Sequence, residues 1–271
     1  MSITDAQITA ALQRLGVEQG DIILVHSSYK SLGEVEGGAA AVIAGLEGAI
    51  GKEGTLVMPT LCQVDFNNSY KTWYMDKPSD VGYLTEFFRK QMYVYRSDQE
   101  THSVAARGKL AYELTHEHKA YGPHMSVYGE YAFADSSPWL KMLRMGAKIV
   151  FIGVTARCNT MKHTVEARYA EDLLAQIPDE QTRRKLKDEV SVFGEFDGTQ
   201  IWPHYNGQKM YEAMDRMGII RHTTCGDTEI LCMDMKESCE AAYDLLSADP
   251  DSWCNQVTAD WIKRCKEAQK G

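Results

Sequence analysis

The chain has 271 residues, of which 44% are hydrophobic, and no low-complexity tract or polar linker divides it, so we expect one compact domain over residues 1–271. Its formal net charge of −9 argues against a nucleic-acid or anionic-membrane surface, and its seven cysteines, with no Cys-x-x-Cys pair, match neither a disulfide framework nor a zinc ribbon. No segment has the pattern of a signal peptide or approaches the roughly 20 apolar residues of a membrane span, so we expect a cytoplasmic protein without a membrane partner.

The amino-terminal part of the chain predicts the start of a parallel sheet. A helix within residues 1–16 begins with Thr4 and Gln7 at the spacing of a capping box. A strand, a loop rich in serine and glycine, a helix and a second strand follow at residues 21–25, 26–38, 39–50 and 55–58. This order gives parallel pairing of the two strands, and a ligand-binding loop is expected at residues 26–38.

Two irregular segments rich in aromatic residues interrupt the middle of the chain. In order, we expect a loop at residues 61–80, a helix at 82–92, a strand at 93–95, a polar turn at 96–108, an insertion at 121–135, a helix that begins at Ser137 and a strand at 147–154. Beyond Glu171, strands are predicted at residues 191–203 and 224–233, and helices at 208–217, 236–246 and 258–268. The whole pattern predicts an α/β fold with a central mixed or largely parallel sheet flanked by helices.

A His-x-x-Glu pair follows the predicted strand at residues 147–154. His163 and Glu166 share one face of a helix, where a carboxylate can fix the tautomer of an imidazole and raise its basicity. Open α/β sheets bind ligands at the carboxyl ends of their strands, and the pair follows such an end. We therefore interpret His163 as a general base that Glu166 orients. A solvated surface pair is the alternative.

Other kinds of site have weaker support in the sequence. No Walker loop or Gly-x-Gly-x-x-Gly motif occurs, although the hydroxyls, lysine and glycines that follow His26 suit a phosphate or pantetheine ligand. No Gly-x-Ser-x-Gly elbow is present, which leaves Cys158 as the nucleophile for a covalent mechanism. A metal centre would need residues whose spacing matches no recognisable zinc motif, namely His26, His102, His163 and Glu166.

Six sequence blocks in a fixed order make the chain similar to a known family. The blocks are His26-Ser-Ser-x-x-Ser-Leu-Gly33, Gly54-Thr-Leu-x-Met-Pro-Thr60, Pro78-Ser-x-x-Gly-x-Leu-Thr-Glu-Phe-Phe-Arg89, Arg96-Ser97 with His102-Ser-Val-Ala-Ala-x-Gly108, Ser137-Pro138 and Thr160-x-x-His-Thr-x-Glu166. Together they resemble the aminoglycoside 3-N-acetyltransferase family between residues 20 and 170. The part of the chain after Arg168 matches only loosely.

The resemblance implies an acyl-CoA-dependent N-acyltransferase whose α/β fold is distinct from the GNAT fold. It implies that His163 is the base, that acetyl-CoA is the co-substrate and that no metal takes part. The residues implied to bind coenzyme A are His26, Ser27, Ser28, Lys30, Ser31, Leu32, Gly33, His102, Ser103, Val104 and Thr160. The acetyl group would pass directly to an amine in a ternary complex, with donors to the thioester oxygen expected among Ser103, Val104, Thr160 and Thr164.

The resemblance also implies an acceptor, an aminoglycoside modified at its 3-N amine. Acidic side chains of the variable loops could hold its ammonium groups, and the candidates are Asp65, Asp80, Glu100 and Glu130. A nucleotide-linked amino sugar is an alternative acceptor, which nearby lysine or arginine would favour. A protein that binds coenzyme A without catalysis is another alternative, although the intact His163 and Glu166 argue against it. The sequence is compatible with a monomer or a homodimer.

Overall fold

The computed structural model describes residues 2–190 and 200–271. Within these residues the strands are β1 Ile22–Ser27, β2 Thr55–Pro59, β3 Tyr95–Arg96, β4 Val104–Gly108, β5 Lys148–Ile152, β6 Arg221–Cys225 and β7 Thr228–Asp234. The helices are α1 Asp5–Arg14, α2 Gly38–Ile50, α3 Phe66–Ser69, α4 Tyr83–Arg89, α5 Ala111–Thr115, α6 Pro138–Arg144, α7 Lys162–Ala175, α8 Glu180–Asp188, α9 Gly207–Arg216, α10 Met235–Ala248, α11 Pro250–Trp253 and α12 Gln256–Ala268. Short 3-10 turns follow β1 and β5, at Tyr29–Leu32 and Ala156–Cys158.

A seven-stranded mixed sheet forms the centre of the fold, with the strand order β3-β4-β2-β1-β5-β7-β6. β1 pairs in parallel with both β2 and β5, so the carboxyl ends of these three strands meet at one edge of the sheet. The outer strands pair antiparallel. The predicted α/β class with a central mixed sheet is therefore confirmed.

Helices cover both faces of the sheet. Because side chains alternate along a strand, Leu24 and Phe151 enter one hydrophobic core, which they share with α6, α7, α10 and α12. Ile23 and Val150 enter the other core, which they share with α1, α2 and α4. The sheet is thus the middle of three layers. None of the described helices is both long and apolar enough to cross a bilayer.

Several local predictions hold. Thr4 and Gln7 form the expected capping box at the start of α1, with the Gln7 N–H 3.3 Å from Thr4 Oγ1 and the Thr4 N–H 2.9 Å from Gln7 Oε1. Ser137 caps α6, accepting the Leu140 N–H at 3.3 Å. The predicted helices at residues 39–50, 82–92, 208–217, 236–246 and 258–268 are present with shifted boundaries.

Two predicted elements were wrong. Residues 104–108, assigned to a polar turn, form β4, because the buried side chains of Val104 and Ala106 make this segment an inner strand between β2 and β3. Residues 224–233, assigned to one strand, contain a turn at Gly226 that joins β6 to β7. Gly226 has a φ of 57°, a conformation that glycine adopts readily in tight hairpin turns.

Two short helices were not predicted, α3 within the loop expected at residues 61–80 and α5, and the region after α7 contains further differences. The strand predicted at residues 191–203 falls mostly on residues 191–199, which lie outside the described residues, and residues 200–203 form no strand. Helix α8 was not predicted, because its strongly charged sequence buries only Leu186 and so lacks an apolar stripe. Its start is fixed by the Asp179 side chain, which accepts the Thr182 N–H at 2.7 Å.

Candidate active site

His163 lies in the first turn of α7, at the edge of the sheet where β1, β2 and β5 end. β5 ends at Ile152, the 3-10 turn Ala156–Cys158 follows, and α7 begins at Lys162. The His163 N–H donates to the Thr160 carbonyl at 3.2 Å, which helps to fix the start of the helix. The predicted placement of the His-x-x-Glu pair after a central strand therefore matches the structure.

Glu166 is fully buried beside His163. His163 Nδ1 lies 2.8 Å from Glu166 Oε2, and the two side chains are 12% and 0% exposed. This burial excludes a solvated surface pair. Because a carboxylate oxygen accepts, Nδ1 of the neutral His163 ring carries the proton and Nε2 presents its lone pair.

Two residues that the sequence analysis missed also bind Glu166. Trp202 Nε1 donates to Oε2 at 3.1 Å, and His204 Nδ1 lies 2.8 Å from Oε1. A Trp and a His two positions apart were the only signal in the sequence, and that pattern by itself indicates no site. Their distance along the chain from His163 hid the contact.

Burial and charge together set the protonation of the pair. Burial lowers the pKa of His163 from 6.5 to about 4, although the neighbouring Glu166 carboxylate acts in the opposite direction. Burial alone would raise the pKa of Glu166, but His204, His163 and Lys162 hold it well below 4.5. At neutral pH the pair is therefore a neutral imidazole hydrogen-bonded to a carboxylate, the state in which Nε2 can accept a proton.

Besides His204, whose ring centroid lies 5.6 Å away, three rings surround the His163 imidazole. The ring centroids of Tyr128, His102 and Phe133 lie 4.5, 5.5 and 5.6 Å from that of His163. Burial lowers the pKa of His102 well below 6.5 and raises that of the Tyr128 hydroxyl, so both side chains are neutral at pH 7. His102, predicted to bind the coenzyme, thus lies directly beside the candidate base.

A cavity of about 240 Å³ opens at the ends of β1 and β5, and its lining includes His26, Ser27, Cys158 and Thr160. His26 is 8% exposed and stacks on Phe151, with ring centroids 5.3 Å apart. Burial lowers the pKa of His26 to about 4, and its Nε2 has no hydrogen-bond partner among the described residues. Three of the residues predicted to bind coenzyme A therefore share this cavity.

The rest of the first predicted coenzyme loop lies between β1 and α2. The Ser28 N–H donates to the Ile152 carbonyl at 2.9 Å, and Ser31 Oγ donates to the Ser28 carbonyl at 2.6 Å. These bonds fix the loop to the end of β5, next to the cavity. Of its other residues, Lys30 is exposed, Leu32 is buried and Gly33 has a φ of 68°.

Ser103 and Val104 are buried, and their polar groups are used within the fold. Ser103 Oγ lies 3.0 Å from Thr60 Oγ1, and the Val104 N–H donates to Ser97 Oγ at 3.0 Å. Both groups hold β4 against its neighbours. The geometry therefore does not support Ser103 or Val104 as donors to a thioester oxygen.

The two threonines considered as such donors differ from each other. Thr164 Oγ1 donates to the Met161 carbonyl at 2.7 Å, which occupies its proton within the first turn of α7. Thr160 is 7% exposed and lines the cavity, and within the described residues no side-chain hydrogen bond involves its hydroxyl. Thr160 is consequently the candidate donor that remains.

The four acidic residues predicted to bind substrate do not contact His163 in the described structure. Asp80 accepts two backbone N–H groups of its own loop, at 2.7 and 2.8 Å. The other three lie elsewhere: Asp65 accepts from the Asn68 side chain, Glu100 pairs with Lys119 at 3.2 Å and Glu130 is exposed. The cation that adjoins the pair is Lys162, whose Nζ lies 3.8 Å from Glu166 Oε1.

His163, Glu166 and His204 are three described residues that could hold a metal ion together, because their possible ligand atoms lie within 4.8 Å of one another. Each Nδ1–O separation is 2.8 Å, which is a hydrogen-bond distance. The metal set considered from the sequence had His26 and His102 in place of His204. The three side chains therefore form a hydrogen-bonded group.

Comparisons with known proteins find similarity to one family. A family model described as aminoglycoside 3-N-acetyltransferase matches residues 24–247. Over 217 residues the chain is 32% identical to aminoglycoside N(3)-acetyltransferase III from a Salmonella species, an alignment that covers 73% of this chain and 69% of the relative.

Solved structures share the fold at lower sequence identity. The binary complex of AAC-IIIb with CoASH superposes with a TM-score of 0.69 at 18% identity, covering 92% of this chain and 97% of that one. A variant of the aminoglycoside acetyltransferase AAC(3)-IVa in complex with gentamicin superposes with a TM-score of 0.69 at 20% identity, covering 100% of this chain and 98% of that one.

Proposed function

The chain belongs to the aminoglycoside 3-N-acetyltransferase family, and on that premise we propose that it transfers the acetyl group of acetyl-CoA to the 3-N amine of an aminoglycoside. The transfer is direct, in a ternary complex. The observation that carries the proposal is the buried His163–Glu166 pair, which lies at the strand-end edge of the sheet close to the cavity of His26 and Thr160.

His163 serves as the general base in this reaction. The acceptor amine must lose a proton as it attacks the thioester carbon, and Nε2 of His163 accepts that proton. The imidazolium that forms is stabilised by Glu166, whose carboxylate already accepts the Nδ1 proton at 2.8 Å. The surrounding rings exclude water and strengthen this interaction.

The cavity and the adjoining loop fit the acetylated arm of coenzyme A. The cavity of about 240 Å³ is lined by His26, whose Nε2 has no partner among the described residues, and by Thr160, whose hydroxyl makes no side-chain hydrogen bond among them. We assign Thr160 as the donor to the thioester oxygen, where negative charge develops as the amine attacks. As the carbon–sulfur bond breaks, the thiolate of coenzyme A leaves and takes up the proton that His163 received, which restores the neutral imidazole. AAC-IIIb, which shares the fold, is known in complex with CoASH, and this supports coenzyme A as the ligand.

Two observations bear on which acceptor the site takes. AAC(3)-IVa, which has the same fold, binds gentamicin, and this supports an aminoglycoside. In contrast, a cation adjoins the His163–Glu166 pair, since Lys162 Nζ lies 3.8 Å from Glu166 Oε1, and the four acidic candidates lie elsewhere. A nucleotide-linked amino sugar therefore remains the second candidate acceptor.

Thiol release from acetyl-CoA tests both candidates. The purified protein should release coenzyme A with at least one member of an aminoglycoside panel, and initial-rate plots should intersect, as direct transfer in a ternary complex requires. Mass spectrometry of the product should show one added acetyl group. Turnover with a nucleotide-linked amino sugar and none with the panel would replace the acceptor, whereas parallel initial-rate plots would indicate an acyl-enzyme.

A further inference from the structure

We propose that His204 is a positioning residue, which holds the Glu166 carboxylate in the orientation that His163 needs. The proposal rests on the proposed role of His163 as the base. The two oxygens of Glu166 are shared between two imidazoles, because Oε2 lies 2.8 Å from Nδ1 of His163 and Oε1 lies 2.8 Å from Nδ1 of His204. His204 stands 38 positions beyond Glu166, outside the sequence blocks that carry the family resemblance.

Glu166 has few other ways to satisfy Oε1. Its side chain is 0% exposed, so in the folded enzyme Oε1 has no contact with bulk water and depends on protein donors. Trp202 donates to Oε2, the oxygen that already serves His163. The described cation nearest to Oε1 is Lys162, whose Nζ at 3.8 Å is beyond hydrogen-bond distance. Without His204, Oε1 would lose its hydrogen-bond donor, and rotation of the carboxylate towards another donor would become favourable. That rotation would weaken the hydrogen bond that fixes the His163 tautomer.

The segment that carries Trp202 and His204 is anchored by the carboxyl-terminal helix. Thr258, in the first turn of α12, accepts the Trp202 N–H at 3.2 Å and donates its hydroxyl proton to the Trp202 carbonyl at 3.1 Å. Tyr128 Oη lies 3.4 Å from Nε2 of His204, so both ring nitrogens have a neighbour. Residues beyond position 200 thus contact Glu166, which in turn contacts the candidate base His163.

His204 is also a residue whose removal need not disturb the core. Its side chain is 38% exposed, so truncation leaves no closed cavity behind. The side-chain amide of asparagine can donate from about the position of Nδ1, which makes His204→Asn a conservative variant. His222, an exposed histidine whose Nε2 lies 2.6 Å from Asp215, provides a matched control away from the site.

Steady-state kinetics tests the proposal. His204→Ala should lower kcat about 10- to 100-fold, the range expected when an outer partner of a functional histidine is removed. KM for acetyl-CoA should stay nearly constant, because His204 does not line the coenzyme cavity. His204→Asn should recover part of the loss, and His222→Ala should match the wild type. An unchanged kcat in His204→Ala would overturn the proposal, as would a loss that His204→Asn does not relieve.

A double-mutant cycle separates action through Glu166 from an independent role. Adding His204→Ala to Glu166→Gln should lower kcat little further, because the charge that His204 orients is already gone. Losses that multiply in the double variant would show that His204 acts by another route.

Nitrogen NMR of the imidazole rings gives a measurement that needs no acceptor. Wild-type His163 should be the Nδ1–H tautomer, and His204→Ala should shift it towards a mixture. An unshifted tautomer in His204→Ala contradicts the proposal. If the wild type acetylates no amine in the panel, the proposed function fails while the NMR result still decides the role of His204.

Discussion

A single buried carboxylate determines what His163 can do. An imidazole buried among Tyr128, His102 and Phe133 is a poor base, since burial lowers its pKa to about 4. Glu166 opposes that effect and stabilises the imidazolium once a proton arrives. His163 is therefore neutral at pH 7, and its interaction with the Glu166 carboxylate becomes strongest as His163 takes up the proton.

Substitution of the pair should separate these contributions. We expect His163→Ala to lower kcat by about 10²- to 10⁴-fold, the contribution of a well-placed general base. Glu166→Gln should cost less, because the amide keeps a polar contact with Nδ1 but loses the charge that stabilises the imidazolium. Thiol release measures both effects, and isothermal titration should show coenzyme A binding retained in each variant. Full activity in folded His163→Ala would exclude His163 as the base.

At the scale of elements, one arginine fastens the irregular segment of residues 61–80 to the sheet. Arg96 of β3 donates to the carbonyls of Met75, Lys77 and Thr60 at 2.8, 2.5 and 2.8 Å. Three carbonyls accept from one guanidinium, so the loop is held through its backbone and its side chains remain free to vary.

Arg96→Lys should therefore loosen this loop even though the charge is kept. A lysine ammonium cannot reach three carbonyls from one planar group, so the free energy of unfolding should fall by about 2–4 kcal/mol, the cost of one or two lost charged hydrogen bonds. Urea denaturation measures the change. Arg107→Lys is the matched control, because Arg107 of β4 makes one partly exposed ion pair with Glu47 at 2.6 Å and its replacement should cost less than about 1 kcal/mol. Equal losses in the two variants would contradict this role of Arg96.

The sequence predicts elements well where the pattern is local. The capping box of α1, the parallel unit of β1 and β2, and the position of His163 after β5 all follow from spacings of a few residues. β4 was assigned to a turn because polar residues precede its three small buried residues. His204 could not be found in this way, since its contact with Glu166 depends on how α12 anchors a distant segment.

At the scale of the whole molecule, four of the described histidines are buried in a neutral state. Burial lowers the pKa of His26 and His163 to about 4, that of His118 to about 3, and that of His102 well below 6.5. All four lie at or near the strand-end edge or under the segments that cover it, so the same region that needs neutral histidines for chemistry makes the fold sensitive to acid.

Unfolding free energy should consequently fall as the pH is lowered from about 6.5 to 4. In this window the unfolded chain protonates these histidines while the folded chain does not, and each one costs about 1.4 kcal/mol per pH unit. His124 and His222 act in the opposite direction, because carboxylate partners raise their pKa and their stabilisation is lost only as the pH rises. Well below pH 6.5 His124 and His222 are protonated in both states and add no slope, so the net slope from these histidines should be positive with pH.

Urea denaturation between pH 4.5 and 7.5 measures that slope, and two neighbouring histidines on one segment provide the controls. His118 is fully buried, with its ring nitrogens 2.9 Å from Ser97 Oγ and 3.0 Å from the Ala132 carbonyl, whereas the side chain of His116 is 53% exposed. His118→Gln should destabilise the protein at pH 7 and flatten the slope by up to about 1.4 kcal/mol per pH unit, because it removes one group that titrates only in the unfolded chain. His116→Ala controls for the loss of an exposed imidazole from the same segment. A wild-type slope near zero would mean that these histidines bind protons equally in both states, contrary to their burial.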